Sequence, residues 1–189
     1  VVLFLFIIAS LAPLVAPTNP FDPASLNLMN GFTPPMTPNM FTGQSFVMGA
    51  DDQGRDLLSA IIYGLRVSLF VGVMSVVLAM GIGVSLGLVA GYVGGWLDNL
   101  IMRIADIQLT FPSILIAMLI FGVLRGIIPP DLRDEMAIFV LIAAIGLSEW
   151  VPFARTVRAT TLVEKEKEYV QAARLIGLRR GQIMWRHIL

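Results

Sequence analysis

Apolar residues fall along this chain in four long stretches, separated by polar, charged or proline-rich segments. The first is Val1 to Ala16, the second Val67 to Gly95, the third Ile107 to Leu124 and the fourth Met136 to Ala154. The second holds no charged residue and exceeds the roughly 20 residues a helix needs to cross hydrocarbon. Backbone N–H and C=O groups find no water in lipid, so each stretch is predicted to be a helix. The first has a second reading, as the apolar part of a signal peptide with Ala9, Ser10 and Ala12 near its cleavage point.

The second stretch places small residues at a strict four-residue interval: Ser75, Ala79, Gly83, Gly87, Gly91 and Gly95. Such a ridge lets another helix backbone approach closely. Packing is one reading of Gly83, Gly87, Gly91 and Gly95, and the lining of a wide pore is the other. In the third stretch Pro112 removes a helical hydrogen bond and predicts a kink, which suits either a gate or a merely structural bend. Between the first two stretches Pro17, Pro20, Pro23, Pro34, Pro35 and Pro38 predict an irregular loop.

Charge orients these elements. From Glu149 onward there are eight basic residues against four acidic ones, whereas Pro17 to Arg66 has two basic against four acidic. Basic flanks stay in the cytoplasm, so the tail is predicted inside and the Pro-rich loop outside. The connection around Asp98 and Arg103 is then cytoplasmic, and that from Arg125 to Glu135 external. Composition agrees: 57% of residues are hydrophobic and 14% charged, where a soluble domain carries about a quarter charged. Zero net charge provides no field for nucleic acid, and the absence of cysteine excludes disulfides and thiolate metal sites. Because it begins and stops inside patterned segments, the chain is read as incomplete at both ends.

Enzymatic and ion-coupled chemistry is thinly represented. The lone histidine, His187, has no neighbouring ligand pattern, and no Gly-rich phosphate loop occurs. Glu149, beside Trp150, is the one carboxylate within the apolar stretches and is read as interfacial. The richest segment is cytoplasmic. Tyr169, Ala172, Ala173 and Ile176 follow helical spacing and predict one apolar stripe, opposite Lys167, Gln171 and Arg174. Gly177 is placed to end that helix in the left-handed conformation. A stripe of this kind serves either a groove on a partner protein or anionic lipid heads.

The segment EYVQAARLIG resembles the EAA loop of binding-protein-dependent ATP-binding cassette (ABC) importer permeases. Three ordered blocks are similar to the C-type subunit of the dipeptide/oligopeptide/nickel group. They are GADDQGRDLLSAIIYGLRVSL from Gly49, GLVAGYVGGWLDNLIMRIAD from Gly87 and WVPFARTVRATTLVEKEKEYVQAARLIG from Trp150. Two departures stand out: Gln171 where the general motif has Glu, and His187 where it has Ile. The resemblance implies an all-α, polytopic transmembrane helical bundle of the type I importer permease fold. The complete subunit would hold about six helices, roughly four of them present here. Residues 1–65 are expected to form a transmembrane helix plus the extracytoplasmic loop, and residues 66–189 the truncated permease domain.

The same resemblance implies that Glu168, Tyr169, Ala172, Ala173 and Gly177 form a coupling helix seated on a cytoplasmic ATPase. Ala173 is expected to pack against that ATPase. The implied partners are a second permease subunit in a heterodimer, two ATPase subunits, an extracytoplasmic binding protein and membrane lipid, with no nucleic acid. No cofactor is expected in this chain, since ATP and Mg²⁺ belong to the ATPase, and no bond-breaking chemistry is expected of it. The setting is a bacterial or archaeal cytoplasmic membrane, and short peptides are the default substrate. Nickel, opines, glutathione and sugars are alternatives. Two other functional classes compete: an ion-gradient-driven transporter or channel, and a membrane scaffold.

Overall fold

A computed structural model describes residues 2–22 and 26–188. Val1, Pro23, Leu189 and the His187 side chain lie outside the described residues. The chain is all-α: among the described residues no strand forms, and the only ladder-like pairings are isolated bridges, Pro38 with Ser45 and Ala50 with Asp56. By its contacts it divides into two compact units, Val1–Phe70 and Val71–Leu189.

In the first unit the opening apolar stretch is two pieces, α1 (Val2–Ser10) and α2 (Ala12–Val15). The expected single helix breaks because Pro13 lacks the N–H that would bond the Ala9 carbonyl. The Pro-rich loop follows, and then α3 (Leu57–Val93) begins. That start lies ahead of the expected Val67. Asp56 sets it: its carboxylate accepts the Ser59 N–H at 3.0 Å and its carbonyl accepts the Ala60 N–H at 3.0 Å. Thr18 N–H donates to Ser59 Oγ at 3.1 Å, and Phe21 meets Tyr63 edge-on at 6.0 Å. The loop is thereby fastened to the first turns of α3.

The second unit holds the rest of α3, then α4 (Gly95–Leu109), α5 (Ser113–Ile127), a 3₁₀ turn (Pro130–Leu132), α6 (Arg133–Ser148) and α7 (Trp150–Glu164). It ends in α8 (Glu168–Leu175), α9 (Arg180–Ile183) and a π-helical turn (Met184–Ile188). Among the described residues only α3 is by itself long and apolar enough to cross a bilayer. Two further spans are available if each bent pair counts as one: α4 with α5, bent by 99°, and α6 with α7, bent by 41°.

Both bends correct expectations. Pro112 is not inside a helix but caps the start of α5, with ψ 130°. A residue preceding proline is driven out of the α region, so α4 must stop and α5 must restart. The fourth stretch likewise breaks, at Glu149 (φ −110°, ψ 10°). Pro152 provides no N–H for the Ser148 carbonyl, and its ring crowds that oxygen.

The core of the second unit lies where α3, α4 and α7 meet, around Ala90, Ile101, Ala105, Trp150, Val151 and Ala154. Lipid tails are as apolar as these side chains, so hydrophobic burial drives such helices together weakly and close van der Waals contact decides. The small residues of α3 provide it. A Cβ on Gly83 would lie 2.5 Å from the Trp150 carbonyl oxygen, one on Gly87 2.4 Å from that of Ala154, and one on Gly91 2.7 Å from Thr161. Ser75 and Ala79 on the same face are buried. Gly95, expected to extend the ridge, does not: nothing lies within 4 Å of its Cβ position, and its φ of +62° serves the turn into α4.

Candidate functional site

α8 is held from three sides. At its start Glu168 stands in the first turn, where a carboxylate complements the helix dipole. At its end Gly177 takes φ +81°; its N–H bonds the Arg174 carbonyl at 3.1 Å while the Leu178 N–H bonds that of Ala173 at 3.2 Å. This pair of crossed bonds is a Schellman motif, and the left-handed residue it requires is best provided by glycine. Along its flank the Arg174 guanidinium lies 5.3 Å from the centre of the Tyr92 ring on α3. A cavity of about 400 Å³ opens beside them, walled in part by Leu178, Arg180 and Ile183.

The predicted stripe is split by this arrangement. Val170 and Ala173 are buried against Ile183, with Tyr92, Leu178 and Ile188 around them. Ala173, expected to face an ATPase, therefore packs inside its own chain. The reason is the second short helix: α9 folds back and brings Ile183 over the Val170–Ala173 face. Exposed instead are Glu168, Tyr169, Ala172 and, at 89% and 76%, Leu175 and Ile176. Leu175 was not singled out by sequence spacing, since a stripe centred on Ala172–Ala173 turns it aside. Tyr169 donates its hydroxyl to Glu164. That carboxylate pushes the phenol above the usual tyrosine range, with a smaller push from burial. Gln171 turns back along its own segment, its Nε2 donating to the Glu166 carbonyl at 3.0 Å.

Behind α8, α7 is bound lengthwise to α4. Arg158 forks onto Asp98 with Nε–Oδ1 at 2.5 Å and Nη2–Oδ2 at 2.7 Å, and Arg155 pairs with Asp106. Lys165 Nζ donates to the Gly91 carbonyl at 3.1 Å, satisfying an end of α3. None of these pairs was foreseen; their signal was two carboxylates and two arginines, each spaced on one helix face.

In the first unit, the block beginning at Gly49 makes a tight turn. Asp51 Oδ1 accepts N–H groups from Gln53 at 2.9 Å and Arg55 at 2.8 Å, and Oδ2 pairs with Arg55 Nε at 2.7 Å. Gly54, at φ +77°, passes so near the Asn27 carbonyl that a Cβ would stand 2.0 Å from its oxygen. The motif is therefore a scaffold that ends in the Asp56 cap of α3.

Residues 83–189 match the family described as binding-protein-dependent transport system inner membrane component. The chain belongs to this family. Its relatives include the oligopeptide transport system permease protein OppC of Bacillus subtilis, 32% identical over 100% of this chain and 55% of the relative. The dipeptide transport system permease protein DppC of Alkalihalophilus pseudofirmus is 38% identical over 75% of this chain and 43% of the relative. The glutathione transport system permease protein GsiD of Escherichia coli O6:K15:H31 is 38% identical over 100% of this chain and 56% of the relative. This inner membrane component spans about half the length of the curated relatives it matches. The region matched by the family begins on the glycine face of α3 and takes in α4 to α9, including both bends and the exposed face of α8.

Proposed function

We propose that this inner membrane component is the translocating subunit of an ATP-driven importer that receives small substrates, foremost di- and oligopeptides, from an extracytoplasmic binding protein. It works beside a second permease subunit in a multi-pass assembly of a bacterial or archaeal cytoplasmic membrane. Two cytoplasmic ATPase subunits bind ATP and Mg²⁺, and this chain carries no cofactor and breaks no bonds. The names of the relatives support the substrate class, and glutathione remains within it because the binding protein largely sets selectivity.

One observation carries the reading: a short helix is locked at its glycine end, keyed into its own chain by Val170 and Ala173, and left with Tyr169, Ala172, Leu175 and Ile176 bare. A soluble partner with an apolar groove would cover that face, and small Ala172 admits close approach. α7 leads directly into α8, so a push on α8 is delivered along α7 to α4 through the two ion pairs. Alternating access follows when such levers rock against the rest of the bundle.

The test uses the full-length subunit reconstituted with its partners. Ala172→Glu is expected to remove ATPase stimulation by substrate-loaded binding protein while membrane insertion stays intact. Ala173→Glu instead disrupts the Val170–Ile183 contact and destabilises the cytoplasmic segment. Unchanged stimulation in Ala172→Glu would overturn the docking role, and uptake that follows a proton gradient without ATP would favour an ion-coupled transporter.

A further inference from the structure

The two helix breaks of the second unit are joined by one side chain. Gln108, half-buried near the end of α4, donates from Nε2 to the Ser148 carbonyl at 2.7 Å and to the Leu147 carbonyl at 3.2 Å. Its Oε1 accepts from the indole Nε1–H of Trp150 at 2.8 Å. The amide orientation is dictated by its partners, because a carbonyl can only accept and an indole N–H can only donate. Ser148 and Trp150 are both buried, at 6% and 7% exposure.

The nearest of these partners, the Ser148 carbonyl, is free because of a proline. The Ser148 carbonyl would bond the N–H four residues on, and that residue is Pro152, which has none. Gln108 itself stands just ahead of Thr110–Pro112, where α4 ends and the chain turns by 99° into α5. A single amide thus satisfies the carbonyl released at one break from a position beside the other. Buried polar groups without partners are costly, and more so away from water. The clasp lies at one end of the α4–α7 pair, and Arg158–Asp98 lies toward the other.

We propose that Gln108 is a positioning residue for translocation, holding the break between α4 and α5 and the break between α6 and α7 as one joint. The inference rests on the importer reading above and deepens it by naming where the lever formed by α4 and α7 is hinged. With the clasp made, displacement of α8 turns α4 and α7 together, and α5 and α6 follow at a fixed angle. Without it, each break flexes alone and the displacement is dissipated before it reaches them.

The experiment compares Gln108→Met, which keeps the length and loses every polar contact, and Trp150→Phe, which keeps a ring and removes the donor. Both are made in the complete transporter in proteoliposomes, with substrate-loaded binding protein. Basal ATP hydrolysis, stimulated hydrolysis and peptide uptake per ATP are measured. Gln108→Met is expected to assemble with its ATPase and keep basal hydrolysis, while uptake per ATP falls about tenfold. Trp150→Phe is expected to fall less, and the double variant no further than Gln108→Met alone, since both act on one clasp. Unchanged uptake per ATP in Gln108→Met overturns the joint while leaving the importer reading standing. So does loss of assembly or basal hydrolysis in both single variants, which marks a purely structural role. Wild-type uptake that needs no ATP overturns both.

Discussion

Glycine at a helix contact is a matter of tenths of an ångström. Gly87 and Gly81 lie on the same helix, yet a Cβ at Gly87 meets the Ala154 backbone at 2.4 Å and one at Gly81 meets nothing within 4 Å. Gly87→Ala must push α7 away from α3, and overpacking of this kind costs about 1–3 kcal/mol. Gly81→Ala removes a poor helix former at no steric cost and stabilises by up to about 1 kcal/mol. Thermal unfolding of the purified subunit in detergent distinguishes them: the midpoint should fall for the first and hold or rise for the second. Equal shifts would mean that the ridge is not a contact. At the same scale, Asp51 ties pH to the Gly49–Asp56 turn. Burial raises its carboxyl, but the N–H groups of Arg55 and Gln53 and the Arg55 guanidinium outweigh this and leave it below the usual carboxylate range. A carboxyl depressed on folding stabilises the turn above its unfolded value, and that contribution disappears as pH falls through the folded one. Protection of the amides across Gly49–Asp56, taken relative to their intrinsic exchange at each pH, is therefore expected to hold from about pH 8 to 5 and to fall below about pH 4. Asp51→Asn should flatten this response.

Elements show where sequence reading succeeds and where it stops. Four-residue spacing located the face of α3 that meets α7 at Gly83, Gly87 and Gly91, because a helix periodicity is a local property. The left-handed Gly177 was legible for the same reason. Which way α8 turns was not, since Ala173 is buried by Ile183, a residue on a different helix. The breaks at Pro112 and Pro152 were read as a kink in one case and overlooked in the other. A proline announces a missing hydrogen bond, but only the fold says whether a distant Gln108 compensates for it. Pro152→Ala restores the N–H opposite Ser148, so α6 and α7 should straighten from 41°. Spin-label distances between the first turn of α6 and the last turn of α7 are expected to lengthen, and an unchanged distance would place the cause of the bend elsewhere.

At the scale of the whole molecule, a membrane component with one long apolar helix and two bent pairs carries, on α8, a bare helical face. The proposal puts α8 on the inner side of the membrane, which the excess of basic residues after Glu149 favours. Direct contact between α8 and a nucleotide-hydrolysing subunit is the central claim, and the absence of cysteine from this sequence makes it directly measurable. Single cysteines at Ala172, Leu175 and Ala173 would be exposed to a bifunctional thiol reagent in inner membranes containing the assembled transporter. The account predicts adducts with the ATPase from Ala172→Cys and Leu175→Cys and none from Ala173→Cys; adducts from Ala173→Cys alone, or labelling of Leu175→Cys from the outer side of the membrane, would contradict it.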